Sequence, residues 1–343
     1  MIEIMEQTYR FAAGRALVRP FILFSDAKHH GCSKPLERAI VDFGSDNAFG
    51  KVPQKLQEHY GIEIPLSCAR DLTLKHAAAF KKLSDESLCD KKSQAKATVI
   101  SETDGSMVPV VLTKKSKDKK QDGRKNKSVF YREARLTMAH EKGSRSPIFS
   151  GTLGNADLAG KHMLHCVQRV GMDGKTKIHC VGDGAAWIAS RVDEYLGTNA
   201  TYLVDFYHVC EYLSAAAKVC AKKSEKAWLR SQKNRLKASQ FHKVLDSLFP
   251  FIEATNVPDE EAPVRACHRY LKNREDQLDY KSAIDNDLPI GSGEIESAHI
   301  YVIQKRLKLA GAFWTEENAE NMLALRVSRA NKEWELYWQN QAA

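Results

Sequence analysis

Two short apolar segments that each lead directly into a helical pattern constrain the fold of this chain more than any other feature. Residues 177–181 read KIHCV, end in Gly-Asp-Gly and precede a helical stretch, and residues 200–204 read ATYLV and precede another. Strands that alternate with helices in this way usually pair in parallel, with helices covering the faces of the sheet. The pattern therefore predicts an α/β domain.

A second β-rich region lies upstream of these segments. Residues 97–103 and 107–113 read as strands on either side of Asp104-Gly105, a strong turn dipeptide, and residues 129–138 read as a third strand. This pattern predicts an antiparallel meander in which Asp104 ends the first strand. Added to the β-α-β-α alternation, the meander predicts a mixed sheet flanked by helices.

The rest of the chain is mostly helical in pattern. Two short helices, a break at 61–65 and a third helix that Ser67 could cap resemble a helix-turn-helix, although a small helical bundle without DNA contact fits equally well. The break PIGSG at 289–293 opens a long helix through Leu309, and a last helix covers 315–330. The predicted organisation is an N-terminal arm at 1–30, a helix-turn-helix-like region at 31–90, a catalytic core at 95–210, an α-helical insertion at 211–285 and the end of the core at 286–343.

The net charge is strongly positive and is concentrated in one segment. The 343 residues include 52 Lys and Arg against 43 Asp and Glu, which gives +9, and residues 114–127 (KKSKDKKQDGRKNK) alone carry +6. Such a run indicates a polyanionic partner, with nucleic acid the first candidate, or else a solvated loop that aids solubility.

The remaining composition excludes several protein classes. Residues 16–24 form a short apolar run that Arg19 and Pro20 interrupt, so they predict neither a spanning helix nor a signal peptide, and we expect a cytoplasmic protein without membrane contact. The eight cysteines contain no C-x-x-C pair and are expected to be free thiols. A zinc site using Cys210 or Cys267 with a neighbouring histidine is the weaker alternative.

Three acidic residues stand where ends of strands and helices would meet. Asp104 follows the first strand, Asp183 follows a parallel-type strand, and Glu296 lies early in the helix after PIGSG. Two divalent cations held by such carboxylates could activate an attacking oxygen and stabilise a leaving oxygen in phosphoryl transfer. Alternatively, Asp104 belongs only to a turn and Asp183 only to a strand-to-helix connection.

The helix after PIGSG carries two glutamates that would point in different directions. Glu296 shares its face with the apolar Ile300 and Ile303, which predicts a buried position beside the sheet, whereas Glu294 falls on a wetter face. We therefore expect Glu296 to join the carboxylate cluster. Asp205 and His208, spaced D-x-x-H after the next strand, suit a supporting role better than direct metal ligation.

Taken together, these motifs resemble the bacterial DDE insertion-sequence transposases of the ISKra group, which are relatives of the Mutator-like transposases. The resemblance covers about residues 97–338, and the matching segments occur in the family's order: TDGSMVPV (103–110), VGDGAAWI (181–188), VDFYHVCEYL (204–213), LPIGSGEIES (288–297) and QKRLKLAGAFWTEENAENMLALR (304–326). The resemblance implies an RNase H-like core interrupted by a helical insertion. It also implies Mg²⁺- or Mn²⁺-dependent cleavage and joining of DNA, with Asp104, Asp183 and Glu296 as the triad.

A transposase of this kind would bind double-stranded DNA and act as a homodimer or larger assembly when it pairs two element ends. The expected DNA contacts are the polar residues of the third N-terminal helix, the basic run and the cations after the Glu296 helix: Arg70, Lys75, His76, Lys114, Lys115, Lys119, Lys120, Arg124, Lys125, Lys305, Arg306 and Lys308. Trp314 would pack in the core or, less readily, stack on a splayed base. The alternatives are a DNA-binding protein without catalysis and an RNase H-like nuclease that cuts but does not join.

Overall fold

A computed structural model describes residues 9–10, 17–18, 32–88, 93–113 and 127–342. The described chain divides into two compact units, one drawn from Met1–Ser87, Met107–Glu133 and Ile300–Ala343, the other from Leu88–Ser106 and Ala134–His299. Most of the arm and most of the basic run lie outside the described residues, and so do six expected DNA contacts: Lys114, Lys115, Lys119, Lys120, Arg124 and Lys125. The domain boundaries expected from sequence stay predictions.

A five-stranded mixed sheet with the order β5-β4-β3-β6-β7 organises the fold. β6 pairs in parallel with both β3 and β7, whereas β5 pairs antiparallel with β4. The described strands are β1 (Tyr9–Arg10), β2 (Leu17–Val18), β3 (Thr98–Thr113), β4 (Lys127–Glu141), β5 (Ile148–Thr152), β6 (Lys177–Gly182) and β7 (Ala200–Val204). β3, β4 and β5 follow one another from the centre of the sheet to one edge, and β6 and β7 add in parallel on the other side of β3. The predicted mixed sheet is therefore confirmed.

The prediction that Asp104-Gly105 forms a turn is wrong. Both residues lie inside β3, which runs without interruption through the two segments expected to be separate strands. A two-residue hairpin turn needs positive φ at its central positions, and Gly105 is not among the glycines with positive φ. The third strand of the meander is β5, which the sequence pattern did not identify.

Helices account for most of the remaining described chain. In chain order they are α1 (Lys34–Asp46), α2 (Val52–Tyr60), α3 (Leu66–Ser87), α4 (Ala156–Val170), α5 (Ala186–Leu196), α6 (Phe206–Cys220), α7 (Glu225–Lys237), α8 (Phe241–Leu248), α9 (Pro263–Lys272), α10 (Tyr280–Asp285), α11 (Gly293–Ala298), α12 (Lys305–Leu307), α13 (Glu316–Ala330) and α14 (Trp334–Ala342). Ser67 lies inside α3 rather than capping it, because the helix begins one residue earlier. The long helix expected after PIGSG is α11, a π-helical segment at His299–Gln304 and α12.

The second unit, which carries the sheet, has two apolar cores. One lies between the sheet and helices α4 and α5, where the buried side chains of β6 meet those of both helices. The other joins β7 to α6 and the helices of the 211–285 stretch, α7 to α10. β6 is buried on both faces, as is typical of a strand at the centre of a parallel sheet. Its carboxyl end therefore lies between its neighbours β3 and β7.

In the first unit, helices α1 to α3 share a separate apolar core that includes Ile40, Leu56 and Leu72. Helices α3 and α14 add an aromatic cluster, in which the rings of Phe80 and Tyr337 lie 3.9 Å apart between centroids. This packing explains why α14, which the sequence pattern did not predict, is ordered as a helix. Most helix stability in proteins comes from such tertiary contacts rather than from intrinsic propensity.

Candidate active site

Three aspartates follow one another across the carboxyl edge of the parallel strands. Thr103 of β3 is in register with Gly182 of β6, and Gly182 is in register with the last residue of β7. The next residues along these strands are Asp104, Asp183 and Asp205. Neighbouring strands lie about 5 Å apart, so backbone pairing alone brings the three aspartates together. The carboxyl ends of parallel strands are where α/β sheets hold their ligands.

Asp104 lies within β3, where the parallel pairing with β6 ends. Its Oδ1 accepts a hydrogen bond from the Gly105 N–H at 2.7 Å, and its side chain is 27% exposed. The Nε2 atom of the buried His299 lies 3.2 Å from the Asp104 carbonyl oxygen and 3.5 Å from its Oδ2. His299 follows α11, so this contact ties the end of that helix to the strand that carries Asp104.

The turn at Asp183 is held by side chains from α9 and the residues after it. Asp183 Oδ1 accepts the Ala185 N–H at 2.8 Å, while the Tyr270 hydroxyl donates to the Asp183 carbonyl oxygen at 2.7 Å. Arg274 Nε donates to the Gly184 carbonyl oxygen at 2.7 Å. Gly184 has φ +83°, and a Cβ there would lie 2.4 Å from the Tyr270 hydroxyl. The predicted insertion thus supports the turn, through two residues that sequence reasoning missed.

Asp205 is almost fully buried, and both of its oxygens are engaged. Oδ1 accepts the N–H groups of Tyr207 at 2.5 Å and His208 at 2.9 Å, which caps α6. Oδ2 accepts the N–H and the hydroxyl of Ser292 at 2.5 and 2.6 Å. Asp205 therefore fastens the PIGSG segment, just before α11, to the end of β7, and this geometry agrees with a supporting role.

His208 lies at the start of α6 and is partly exposed. Its Nδ1 is 3.6 Å from the Glu211 carboxylate, and its ring packs against Tyr212 and Tyr270 with centroids 5.5 and 5.8 Å apart. These contacts fix the ring beside the turn that Tyr270 supports. His208 is therefore held beside this turn by its neighbours and is not a core residue.

Glu296 lies on α11, but the prediction of its buried face is wrong. Glu296 is exposed, Ile300 is 51% exposed, and the buried positions are Ile295, Ala298 and His299. The π-helical segment that follows α11 changes the spacing on which the predicted face depended. Partial desolvation and the nearby carboxylates of Asp205 and Glu211 raise the pKa of Glu296, whereas His208 lowers it. Glu296 is thus close to the acidic edge of the sheet.

Glu102 is a buried carboxyl that sequence reasoning missed. Its Oε2 accepts the Ile295 N–H of α11 at 2.9 Å, and the residue is 2% exposed. Burial raises its pKa to about 8, the Ile295 N–H opposes this, and the carboxylates of Glu294, Asp205 and Glu296 add to it. The signal available in the sequence was its position two residues before Asp104, on the same face of β3.

The raised pKa of Glu102 makes stability depend on pH. The folded state keeps a proton on Glu102 up to about pH 8, whereas the unfolded chain releases it near its ordinary pKa of 4.5. Because the folded state then binds more protons between these two values, the free energy of unfolding falls as pH rises through this window and levels off above it. We expect Glu102→Gln, which keeps an acceptor for Ile295, to lose this part of the slope in melting curves measured at pH steps. Glu211→Gln at an exposed site is the control, and equal slopes for wild type and Glu102→Gln would contradict the assignment.

The carboxylates meet at one edge, but they do not form a complete ligand set in this structure. Within the described parts of the chain, no three His, Cys, Asp or Glu side chains come together as a metal-binding group. That finding applies equally to the weaker zinc alternative, since Cys210 and Cys267 are both buried free thiols. Glu294 points elsewhere, with its carboxylate 3.7 Å from His140 Nε2. The part of the predicted cluster that register supports directly is the pair Asp104 and Asp183.

The predicted DNA contacts divide into exposed and buried groups. Arg70, Lys75, Lys305 and Lys308 are exposed, as a phosphate contact requires. His76 is buried, with Nδ1 2.6 Å from the Tyr337 hydroxyl, so its prediction as an exposed contact is wrong. The helix α3 buries that face against α14, a helix that the sequence pattern did not reveal.

Arg306 is also buried, which contradicts its prediction as a surface phosphate contact. Its guanidinium lies 4.6 Å from the ring centroids of both Phe49 and Trp314. Trp314 is itself only 4% exposed, so it belongs to the core rather than to a base-stacking surface. The aromatic rings explain the burial, because a cation between two π-faces gains attraction that replaces part of its hydration.

The described helices include none that is both long enough and apolar enough to span a bilayer.

Comparisons with known proteins place the chain in a family. The model of an uncharacterised protein family, UPF0236, matches residues 167–338. A "UPF0236 protein in vanSb 3'region" from Streptococcus gallolyticus is 26% identical over 159 residues, which are 46% of this chain and 34% of that protein. The matched segment thus spans about a third of the relative's length. A solved Drosophila P element transposase strand transfer complex aligns with 93% of this chain and 83% of its own, at 11% identity and a TM-score of 0.32. The chain belongs to the UPF0236 family.

Proposed function

We propose that this chain is a DDE transposase of an insertion sequence, of the ISKra type, that cleaves DNA at the element's ends and joins them to target DNA. The observation that carries the proposal is the register of β3 and β6, which sets Asp104 and Asp183 side by side at the carboxyl edge of the sheet. Glu102 and Asp205 fasten the beginning of α11 to the same edge, and this helix carries Glu296.

The architecture of the second unit supports an RNase H-like core for this activity. Three strands, β3, β4 and β5, are followed by two parallel strands that enter the sheet on the other side of β3. The helical stretch from α7 to α10 lies in sequence between β7 and α11 and supports the Asp183 turn through Tyr270. An insertion that buttresses the active edge is consistent with the interrupted core that the transposase resemblance implies.

Hard divalent cations fit the donor chemistry of this edge, since carboxylate oxygens are the ligands that Mg²⁺ and Mn²⁺ prefer. Asp104, Asp183 and Glu296 would hold the ions. When bound, such ions activate an attacking oxygen and stabilise a leaving oxygen. Asp205 is not proposed as a ligand, because four N–H and O–H donors already occupy its two oxygens. It positions the helix that carries Glu296, and His208 stabilises the ionised form of Glu296.

Exposed cations of the first unit would bind DNA through its phosphates. Arg70 and Lys75 on α3, together with Lys305 and Lys308 around α12, are the described candidates. Phosphate contacts of this kind provide salt-dependent affinity with little sequence preference. The basic run at 114–127 would add to it. Pairing of two element ends by one protein requires a dimer or larger assembly.

The proposal is tested by a cleavage and joining assay with a plasmid that carries the DNA flanking this gene. We expect nicks at fixed end positions and joined products, both dependent on Mg²⁺ or Mn²⁺ and absent with EDTA. Cleavage without joined products would favour an RNase H-like nuclease. Tight end binding without cleavage under any metal condition would favour a DNA-binding protein without catalysis.

A further inference from the structure

A cavity of about 230 Å³ lies in the first unit, beside the segment that links α12 to α13. Its described lining is apolar and aromatic apart from one charged side chain, Arg306. The lining residues are Ala48, Phe49, Arg306, Leu309, Ala310, Gly311, Ala312, Phe313 and Trp314. A cavity of this size could admit a small polyatomic ion, and its walls decide which charge that ion carries.

Arg306 brings a buried positive charge to this cavity. The residue is 1% exposed, and its Nε donates to the Gly44 carbonyl oxygen at 3.0 Å. Among the described residues its Nη2 has no hydrogen-bond partner. The guanidinium also faces the rings of Phe49 and Trp314, each 4.6 Å from its centre. The aromatic contacts offset part of the desolvation, but they do not satisfy the Nη2 donor.

The charge of Arg306 is not balanced by an ion pair within the described residues. Asp46 acts electrostatically on Arg306, but its carboxylate pairs with Arg326 and Arg329 instead. Burial, together with the positive charge of Arg326, lowers the pKa of Arg306 to about 10. A buried charge without a counter-charge is costly, so an anion in the adjoining cavity would stabilise this arrangement.

Trp314 supplies a second donor to the same cavity. Its indole Nε1 is buried and has no hydrogen-bond partner within the described part of the chain, and the residue itself, which is 4% exposed, lines the cavity. An indole N–H can only donate. The cavity thus has two unpartnered N–H donors, one of them cationic, and its described lining contains no acidic side chain. Such a lining favours an oxyanion, which accepts hydrogen bonds, over a cation.

We propose that this cavity is a phosphate-binding site, in which Arg306 and Trp314 donate hydrogen bonds to phosphate oxygens. Both donor nitrogens are shielded from water, so the 309–313 segment, which contains Gly311 at φ +75°, shifts when phosphate enters. The phosphate is either free inorganic phosphate or a phosphate of a nucleic-acid strand. This inference is independent of the cleavage chemistry at the sheet edge, because it concerns the other unit and is read out by binding.

The test is calorimetric titration of the full chain with inorganic phosphate in chloride buffer. We expect saturable binding of about one phosphate per chain. Trp314→Phe keeps a ring over Arg306 but removes the N–H, and the loss of one donor to a charged ligand should weaken binding by about tenfold or more. Ala312→Leu, which fills the cavity and leaves Arg306 unchanged, should abolish binding. Circular dichroism melting verifies that each variant is folded.

Lys51→Gln is the matched control, because Lys51 is an exposed cation close to Phe49 that does not line the cavity. Its phosphate affinity should equal that of wild type. The proposal is overturned if phosphate does not bind saturably, or if the folded variants Trp314→Phe and Ala312→Leu bind phosphate as tightly as wild type. Competition by a short single-stranded oligonucleotide would assign the site to nucleic-acid phosphate, and phosphate binding without such competition would assign it to the free ion.

Discussion

Asp183→Asn is expected to reduce metal-dependent DNA cleavage and joining by about a thousandfold or more. The substitution removes one negative charge at the carboxyl end of β6 and leaves an oxygen that can still accept the Ala185 N–H. The turn should therefore survive while the affinity for divalent cations falls. Metal ions supply several kcal/mol of transition-state stabilisation, and each 1.4 kcal/mol or so is a factor of about ten in rate.

Asp193→Asn provides the matched control for this substitution. Asp193 is an exposed aspartate on α5, the helix that follows the Asp183 turn, and it does not stand at a strand end. We expect its cleavage and joining activity to equal that of wild type under the same metal conditions. Full activity of Asp183→Asn would remove Asp183 from the site and with it the main support for the proposed triad. End binding by filter retention should be retained in both variants.

Asp205→Ala is expected to produce the largest loss of stability among the site substitutions, about 4 kcal/mol or more. The change leaves four buried or partly buried donors without an acceptor, on Tyr207, His208 and twice on Ser292. Each unsatisfied buried donor costs about 1–3 kcal/mol, and a lost helix cap about 1 kcal/mol. For a domain of this size the melting temperature should fall by about 10 °C, which thermal unfolding followed by circular dichroism would measure.

Two variants sharpen the interpretation of this loss. Asp205→Asn keeps one oxygen for the α6 cap but presents an NH₂ group to Ser292, so we expect an intermediate loss. Asp279→Ala removes the exposed cap of α10, which accepts the Ser282 N–H at 3.2 Å, and should cost about 1 kcal/mol. If Asp205→Ala and Asp279→Ala proved equally mild, Asp205 would not be the residue that fastens the PIGSG segment.

Local pattern predicted the parallel strands well, because their signal is local. β7 has the predicted bounds, β6 extends one residue further, and a helix follows each of them as predicted, α5 after β6 and α6 after β7. β6 is apolar because it is buried on both faces, and its composition reports that burial directly, whereas β7 is buried only at its last two residues. Asp183 and Asp205, which directly follow β6 and β7, could therefore be located at one edge from the sequence, whereas Asp104 was expected at a hairpin turn and lies inside β3.

The errors arose where an interaction between distant segments overrides a local preference. Asp104-Gly105 has the composition of a turn, yet β3 continues through it because pairing with neighbouring strands outweighs dipeptide preference. His76 and Arg306 are polar residues in helices and were expected to face solvent. His76 is instead buried against Tyr337. Arg306 is buried against the rings of Phe49 and Trp314.

The sequence by itself determined the mixed sheet, the bounds of β6 and β7 to within a residue and the aspartates that follow these two strands, because hydrophobic periodicity and short-range turn chemistry encode them. Only the tertiary structure decided how the acidic edge is built. The hydrogen bond from Ile295 to the buried Glu102, the two hydrogen bonds from Ser292 to Asp205 and the support of the Asp183 turn by Tyr270 all join residues that are far apart in sequence. Such contacts depend on which surfaces pack together, and no local pattern records the identity of a partner that lies 87 or 193 residues away.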